Sequence, residues 1–386
     1  MLATQSFKKR VLVVATIATT IKSFCIPNIR LLQQLGYDVD IAADFSRESW
    51  PSGDVDGWRE NLAAEGIMSW QIDFTRNATD LPQHVRAYRQ LKSLILNERY
   101  RFVHTNTPIA SAIVRVVCHD TRTRCIYTAH GFHFYKGAPA KNWLLFYPIE
   151  KLLSRCTDTL ITINDEDYAL AKARFHAKET IEIPGAGIDT SKFVRRWENR
   201  EQLRMSLSIG PQTTVLLSVG ELNKNKNHES VIRTLTQIDG DICYCIAGQG
   251  PLGNSLSHLI FELGLQDKVR MLGFIDDVTS LYNMADVYIH PSFREGLSTA
   301  ITEAMACELP VLASNRRGCR DLVDVELGGF LFEPDDVSTI VSAIRRLLAS
   351  DSKAMGEYNR TKACACSTAV TLATMRKAYS KYQVSY

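Results

Sequence analysis

Two glutamates eight residues apart, Glu295 and Glu303, bracket the pair Ser298-Thr299 in residues 285–311, ADVYIHPSFREGLSTAITEAMACELPV. An ionised carboxylate accepts hydrogen bonds and donates none, which suits it to hydroxyl groups. Ser298 and Thr299 can cap a short helix from Ala300 to Cys307, and a helix start offers unpaired N–H groups and a positive dipole end to a phosphate. Glu295 falls in the loop ahead of that start, and Glu303 falls inside the helix. An anion site flanked by acceptors for hydroxyls is the chemistry of a nucleotide sugar. Lys224 and Lys226, in the turn GELNKNKN, add point charges suited to phosphate. His130, Thr16, Lys22 and Asn106 are further candidates, each standing at or just after the end of an apolar run.

The elements that must position these groups are short buried runs alternating with helical ones. Val287-Tyr288-Ile289 is a strand that stops at His290-Pro291, Pro310 closes the helix, and Val311-Leu312-Ala313 is the next strand. Upstream, Val215 to Val219 ends in Gly220-Glu221, Cys243 to Ala247 runs into Gly248-Gln249-Gly250 and a helix from Leu252 to Leu263, and Val269 to Leu272 leads to Gly273-Phe274. Val337 to Ala349 is an amphipathic helix. The amino-terminal half repeats the pattern with the strand at residues 10–15, a helix from Pro27 to Leu35 with Gly36 as its cap, and a strand from Asp38 to Ala43. Between them the stretch Thr16 to Phe24 reads as a loop with threonines and Lys22 but no glycine; it either meets substrate or is simply solvated. Leu81 to Glu98 is an amphipathic helix, Phe102 to His104 a strand ending in Thr105-Asn106-Thr107, and Ile126 to Ala129 a strand that delivers His130. Leu160 to Ile163 and Ile181 to Pro184 are further strands, with a capped helix opening at Asn164. Such alternation gives an α/β chain with two doubly wound parallel sheets, and ligands of these sheets bind at the carboxyl ends of the strands. Asp189 to Pro211 is charged and links the halves, and Thr371 to Gln383 is a terminal helix.

A chain of 386 residues at 45% hydrophobic and 23% charged is an ordinary globular protein of two domains. A formal charge of +3 is too small to argue for nucleic acid as a partner, and it leaves room for a local basic patch facing an anionic membrane. No run reaches the roughly 20 apolar residues of a spanning helix. The start, MLATQSFKKR, leads into a strand and not into a signal peptide's apolar core. Ten scattered cysteines, with two C-x-C pairs that lack zinc-knuckle spacing, imply reduced thiols in a cytoplasmic protein. No Asp-x-Asp stands at a strand end and no metal-ligand cluster is spaced for binding, so metal independence is expected. The segment Asn142 to Ser154 is either a core helix broken by Pro148 or a surface for a bilayer. In the second case Phe132, Phe134, Tyr135, Trp143 and Phe146 supply apolar area, and Lys136, Lys141 and Lys151 supply charge.

The E-x7-E pair Glu295/Glu303, with P-S-x-x-E-G ahead of it, resembles the donor signature of retaining GT-B glycosyltransferases of family 4. The loop after Val219 resembles that family's G-R-L-x-x-x-K-[GN], with Glu221 where an arginine often pairs with the diphosphate, and Gly318-Cys319-Arg320-Asp321-Leu322 resembles its next turn. The resemblance spans the whole chain. It implies a GT-B architecture of two Rossmann-like domains facing a cleft, an acceptor-side domain 1–190 completed by a terminal helix 371–386, and a donor-binding domain 191–370. It implies Glu295 and His130 as the catalytic pair beside the donor sugar. Glu303 would meet the ribose, Lys226 the diphosphate, and Gly296, Leu297 and Ser298 the sugar and diphosphate through backbone N–H groups. Arg294, Glu221, Gly250 and Phe274 would complete the donor site, and Thr16, Lys22 and Asn106 would face the acceptor. The run AHGFHFYKGAP…NWLLFYPIEKLL resembles a bacterial subgroup that builds exopolysaccharides and lipid-linked oligosaccharides. The implied reaction moves a hexosyl or N-acetylhexosaminyl unit, with retention, from a nucleotide-diphosphate sugar (UDP-linked) to a glycan or lipid-linked glycan at the inner face of the cell membrane, with no cofactor. A nucleotide-sugar epimerase of the same fold and a non-catalytic sugar-nucleotide-binding protein are the alternatives. The aromatic, basic loop from Phe132 to Trp143 favours a transferase over the epimerase, and the presence of both His130 and Glu295 argues against the non-catalytic protein.

Overall fold

The computed structural model describes residues 9–46, 50 and 54–383. Most of the basic start, MLATQSFKKR, and the last three residues of the expected terminal segment lie outside them. The chain divides into two compact units, Met1–Ala186 with Thr371–Tyr386, and Gly187–Val370. The first boundary thus falls four residues before the expected 190/191, and the second falls at 370/371.

The first unit holds seven parallel strands: β1 Arg10–Ile17, β2 Asp38–Asp44, β3 Met68–Gln71, β4 Phe102–Thr105, β5 Arg124–Ala129, β6 Thr159–Thr162 and β7 Glu179–Glu182. Their order is β3-β2-β1-β4-β5-β6-β7, so the winding direction reverses between β1 and β4. The second unit has six: β8 Thr214–Val219, β9 Ile242–Ala247, β10 Val269–Gly273, β11 Val287–His290, β12 Val311–Ser314 and β13 Gly329–Phe332. Their order is β10-β9-β8-β11-β12-β13, and the reversal lies between β8 and β11. Most ladders register residue by residue, as in Tyr288 with Val311 and Leu216 with Tyr244, while β1/β2 and β9/β10 shift register near their carboxyl ends. Apolar side chains on both faces of each sheet are buried, which is why the strands read as continuous apolar runs.

Local chemistry sets the helices. Asp80 accepts from the Gln83 N–H and starts the helix Leu81–Glu98, whose buried face is Ala87, Leu91, Leu94 and Ile95. Asn164 caps Asp165–Arg174 in the same way. The stretch expected as a loop after β1 is helical instead. Ala18–Thr20, a π-turn Ile21–Cys25 and Ile26–Gln34 run on from one another. With no glycine or internal proline before Pro27 nothing interrupts the turns, and Pro27 itself is tolerated in the first turn of Ile26–Gln34.

The segment Ala140–Leu153 is a helix with Pro148 inside it. Pro148 is exposed, as is Leu144 four residues back, so the carbonyl that loses its bond reaches water. Phe132 and Phe134 do not supply surface. They stack 5.0 Å apart in a buried cluster with Tyr127 and Leu160, against which Trp143, Phe146 and Tyr147 pack. The apolar residues this helix exposes are Leu144, Leu145, Ile149 and Leu152, the first at 79%. Helix Thr368–Ser380 completes the first unit. Tyr379 stacks on Phe102 and donates to or accepts from His104 Nδ1 at 2.8 Å. All ten cysteines are free thiols.

Candidate active site

The reversal between β8 and β11 leaves a crevice at their carboxyl ends, and the loops leaving both strands meet there. The β8 loop, Gly220 to Asn227, brings Lys226 back over Gly220, where a Cβ would touch the lysine Cε at 3.3 Å. The β11 loop carries Glu295. Lys226 Nζ lies 2.7 Å from Glu295 Oε1, and the same oxygen is 3.1 Å from His290 Nε2. A carboxylate can only accept, so Nε2 carries the proton and Nδ1 accepts from the Tyr288 hydroxyl at 3.1 Å. Ser292 and Ser298 hydroxyls stand 3.0 and 3.3 Å from Nε2. Burial alone would raise the Glu295 carboxyl, but the His290 hydrogen bond and the Lys226 charge outweigh it and hold it well below the usual range. Burial and the neighbouring Lys226 keep His290 neutral, against the pull of Glu295.

Ser298 caps the eight-residue helix Thr299–Ala306, its Oγ accepting from Ile301 N–H at 3.4 Å. Its own N–H donates to the Gly318 carbonyl. Gly318 has φ +78, and a Cβ there would strike the carbonyls of Glu295 and Gly296, so the two loops close on each other only through that glycine. Gly296 and Leu297 are half-buried at this helix start. Glu303 lies one turn in and accepts from the Tyr282 hydroxyl at 2.8 Å. Burial pushes its carboxyl up to about 7, partly opposed by that hydrogen bond.

The other donor-side candidates spread outward. Arg294 is exposed, and its carbonyl accepts from Asn225 Nδ2 at 2.9 Å. Glu221 is exposed and accepts from Asn223 Nδ2 at 2.9 Å, tying the turn to itself. Gly250 meets the backbone of Leu222, 2.7 to 2.9 Å from where its Cβ would be, so the bare Cα serves loop-to-loop packing. Phe274 is exposed just past β10, two strands from the crevice.

In the first unit the reversal lies between β1 and β4, and three of the four remaining candidates sit at the carboxyl edge beside it. Thr16 belongs to β1 itself; its N–H and hydroxyl reach Thr107 Oγ1 at 2.8 and 2.7 Å. Asn106, just past β4, and His130, just past β5, each bury a side-chain nitrogen with no partner, Nδ2 and Nε2 respectively. Burial lowers His130 to about 4, so it is neutral. His104 bridges Tyr379 and Thr128 close behind, and burial and His130 lower it to about 3. Lys22 stands apart on the π-turn, its Nζ 4.9 Å from the Trp50 ring.

Sequence reasoning treated His290 only as a strand stop and passed over Tyr282 and Tyr288. A histidine followed by proline at the end of a buried strand, five residues before Glu295, was the available signal. Tyr282 contacts Glu303 across 21 residues of sequence and left none. Among the described residues no group of three or more His, Cys, Asp or Glu is placed to hold a metal ion.

Two doubly wound parallel-sheet units, each with polar groups at its reversal point, define the GT-B class. Solved structures agree: HepE of Anabaena with UDP-glucose has a TM-score of 0.78 at 19% identity over 96% of this chain and 99% of that one. Sucrose-phosphate synthase of Thermosynechococcus elongatus has 0.78 at 19% over 96% and 98%. The chain belongs to the family 4-like glycosyltransferases of group 1: the glycosyl transferases group 1 model matches residues 199–362, and the glycosyl transferase 4-like domain model matches residues 28–184. It is 34% identical, over 97% of both chains, to EpsD of Bacillus subtilis, which is assigned as a glycosyltransferase. It is 26% identical, over 69% of this chain and 71% of the other, to the UDP-Gal:alpha-D-GlcNAc-diphosphoundecaprenol alpha-1,3-galactosyltransferase of Escherichia coli.

Proposed function

We propose that this glycosyltransferase moves a hexosyl or N-acetylhexosaminyl unit from a UDP-sugar to a lipid-linked glycan, with retention of the anomeric configuration and without a metal ion. The observation that carries this reading is the bonded set Lys226–Glu295–His290 beside the Ser298-capped helix start. In the reaction the bond from sugar C1 to the β-phosphate oxygen breaks and its electron pair leaves on UDP. A bond from C1 to an acceptor hydroxyl oxygen forms, and the proton of that hydroxyl passes to the departing UDP, which holds the electron pair. Lys226 can share its three protons between Glu295 and the departing diphosphate, and the N–H groups before Ala300 add a second source of positive potential. A fixed cation and a helix dipole do here what a metal ion does elsewhere. Glu303, as carboxylate, accepts from the ribose hydroxyls. Neutral His130 and the unpartnered Asn106 amide suit uncharged sugar hydroxyls in the first unit.

The acceptor of the Escherichia coli relative, a diphosphoundecaprenol glycan, supports a lipid-linked acceptor here. No helix among the described residues is long and apolar enough to cross a membrane. Exposed Leu144, Leu145, Ile149 and Leu152, with the charges of Lys136 and Lys141, support a reading in which the chain contacts the inner face of the cell membrane. The test is turnover, in EDTA, with UDP-, GDP- and ADP-sugars and an undecaprenyl-diphosphate glycan, the product anomer read by NMR. Transfer from a UDP-sugar with retention is expected. Epimerisation of the donor without transfer, or an absolute need for Mg²⁺ or Mn²⁺, would overturn the proposal.

A further inference from the structure

Helices Leu81–Glu98, Pro108–Thr121 and Ala140–Leu153 of the first unit enclose a groove of about 450 Å³. Its lining is apolar, with Val85 from the first helix, Ala112, Ile113 and Val116 from the second, Ile149 from the third, and Phe134 beneath. The carboxylate that reaches it, Glu150, is held by buried Arg115 at 2.8 Å, so that pair brings no net charge. His84, Tyr88 and His133 are the other polar groups of a lining that otherwise presents hydrocarbon. The volume lies within the ~300–1,000 Å³ of small-molecule sites. An α-helix about 10 Å across would fill it with roughly one turn, too little to seat a helical partner.

One wall is Gly131 to Phe134, which follows His130 directly in the chain. A chain lying in the groove therefore passes the loop that begins with His130. Val85 and Ile149 are exposed as well as lining, so the groove is open to solvent.

We infer that the groove holds the hydrocarbon chain of the lipid-linked acceptor, its isoprenoid units next to the diphosphate, drawn out of the bilayer beside His130. The inference rests on the acceptor class proposed above. It separates two tasks: the outer face of Ala140–Leu153 rests on the membrane, and the groove selects one chain.

Farnesyl diphosphate, inorganic pyrophosphate and UDP, titrated calorimetrically into the full chain, test this. Val85→Trp and Ala112→Phe fill the groove from two different helices, and Val85 is exposed enough for its variant to fold. The wild type should bind farnesyl diphosphate at least tenfold more tightly than pyrophosphate. Both variants should lose at least tenfold of that affinity, keep UDP affinity within twofold, and float with phosphatidylglycerol vesicles as the wild type does. Unchanged farnesyl diphosphate affinity in the variants overturns the inference, and so does pyrophosphate binding as tightly. Loss of flotation in the groove variants assigns the groove to bilayer acyl chains and also overturns it, as does a concentration-dependent dimer that the variants break. Farnesyl diphosphate bound as expected, with no transfer to any lipid-linked glycan, leaves the groove standing and sinks the acceptor reading instead.

Discussion

The two sheets present contrasting carboxyl edges. In the second unit Lys226, Glu295, His290, Tyr288 and Ser298 form one continuous set of hydrogen bonds, with a charge fixed at its centre. In the first, Asn106 Nδ2 and His130 Nε2 are buried without partners, and an apolar groove lies beside them. A bonded, charged site resists rearrangement when its ligand arrives, which is what stabilising a departing diphosphate requires. Unpartnered buried polar atoms are a standing cost that a ligand hydroxyl can relieve. On the reading proposed above, one edge is finished before its substrate arrives, and the other is completed by it.

The contrast breaks most visibly at Lys226. Lys226→Ala should lower kcat by roughly 10²–10³-fold, the scale for losing a preorganised electrostatic donor, with the fold intact by circular dichroism. Lys224 is exposed, and Lys224→Ala should do far less. Equal, mild effects from the two would return the loop to a solvated turn.

Glu303→Ala comes next. Losing a hydrogen bond to a charged group should weaken UDP binding by about 1.5–3 kcal/mol, and unchanged calorimetric affinity would remove Glu303 from the site. Its carboxyl titrates near 7, above the usual carboxylate value, so two opposed pH effects follow. UDP affinity should rise between pH 6 and 8 as the carboxylate forms. The stability this group lends is fully present below its unfolded value of about 4.3 and is lost as pH rises through 7. Glu303→Gln should flatten both, as read by calorimetry and by thermal unfolding across that range.

His130→Ala sharpens the contrast from the other side. Turnover should fall roughly ten- to hundredfold with UDP affinity unchanged, since the lost contact is with sugar and not nucleotide. A matching loss of UDP affinity would erase the distinction between the edges.

The smallest effect concerns the outer face of Ala140–Leu153. Each basic residue near an anionic surface contributes about 1 kcal/mol, and salt screens it. The triple variant Lys136/Lys141/Lys151→Glu should float less with anionic vesicles than the wild type, and high salt should narrow the gap. Equal flotation, or none in either, would make a soluble acceptor the better reading.

Sequence patterns reported what repeats locally. Leu81–Glu98 was legible to the residue because Asp80 caps it, Pro82 suits its first turn and its apolar face recurs every turn. The β11–helix–β12 unit was legible because proline and serine mark its ends. The stretch after β1 was misread because threonines and a lysine look like a loop when nothing shows the turns they continue. Phe132 and Phe134 were misread because a loop's aromatics look exposed until the helices that cover them, Ala140–Leu153 and Asp165–Arg174, are in place. His290 was invisible as a partner of Glu295, since one strand residue in a buried run gives no sign of which way its ring points.

The bond between Tyr379 and His104 spans 275 residues of chain. It belongs to the first unit, yet the whole second unit is encoded between its two halves. A ribosome adding about 5–20 residues per second takes roughly 15–55 s to cover that interval. Throughout it the nascent first unit lacks Tyr379 and Tyr382, two of the three rings that pack on Phe102, and has only Tyr37 there. Synthesis order is thus written into the architecture: the unit begun first is sealed last, and translation stalled anywhere before Thr371 leaves that side of its sheet uncovered.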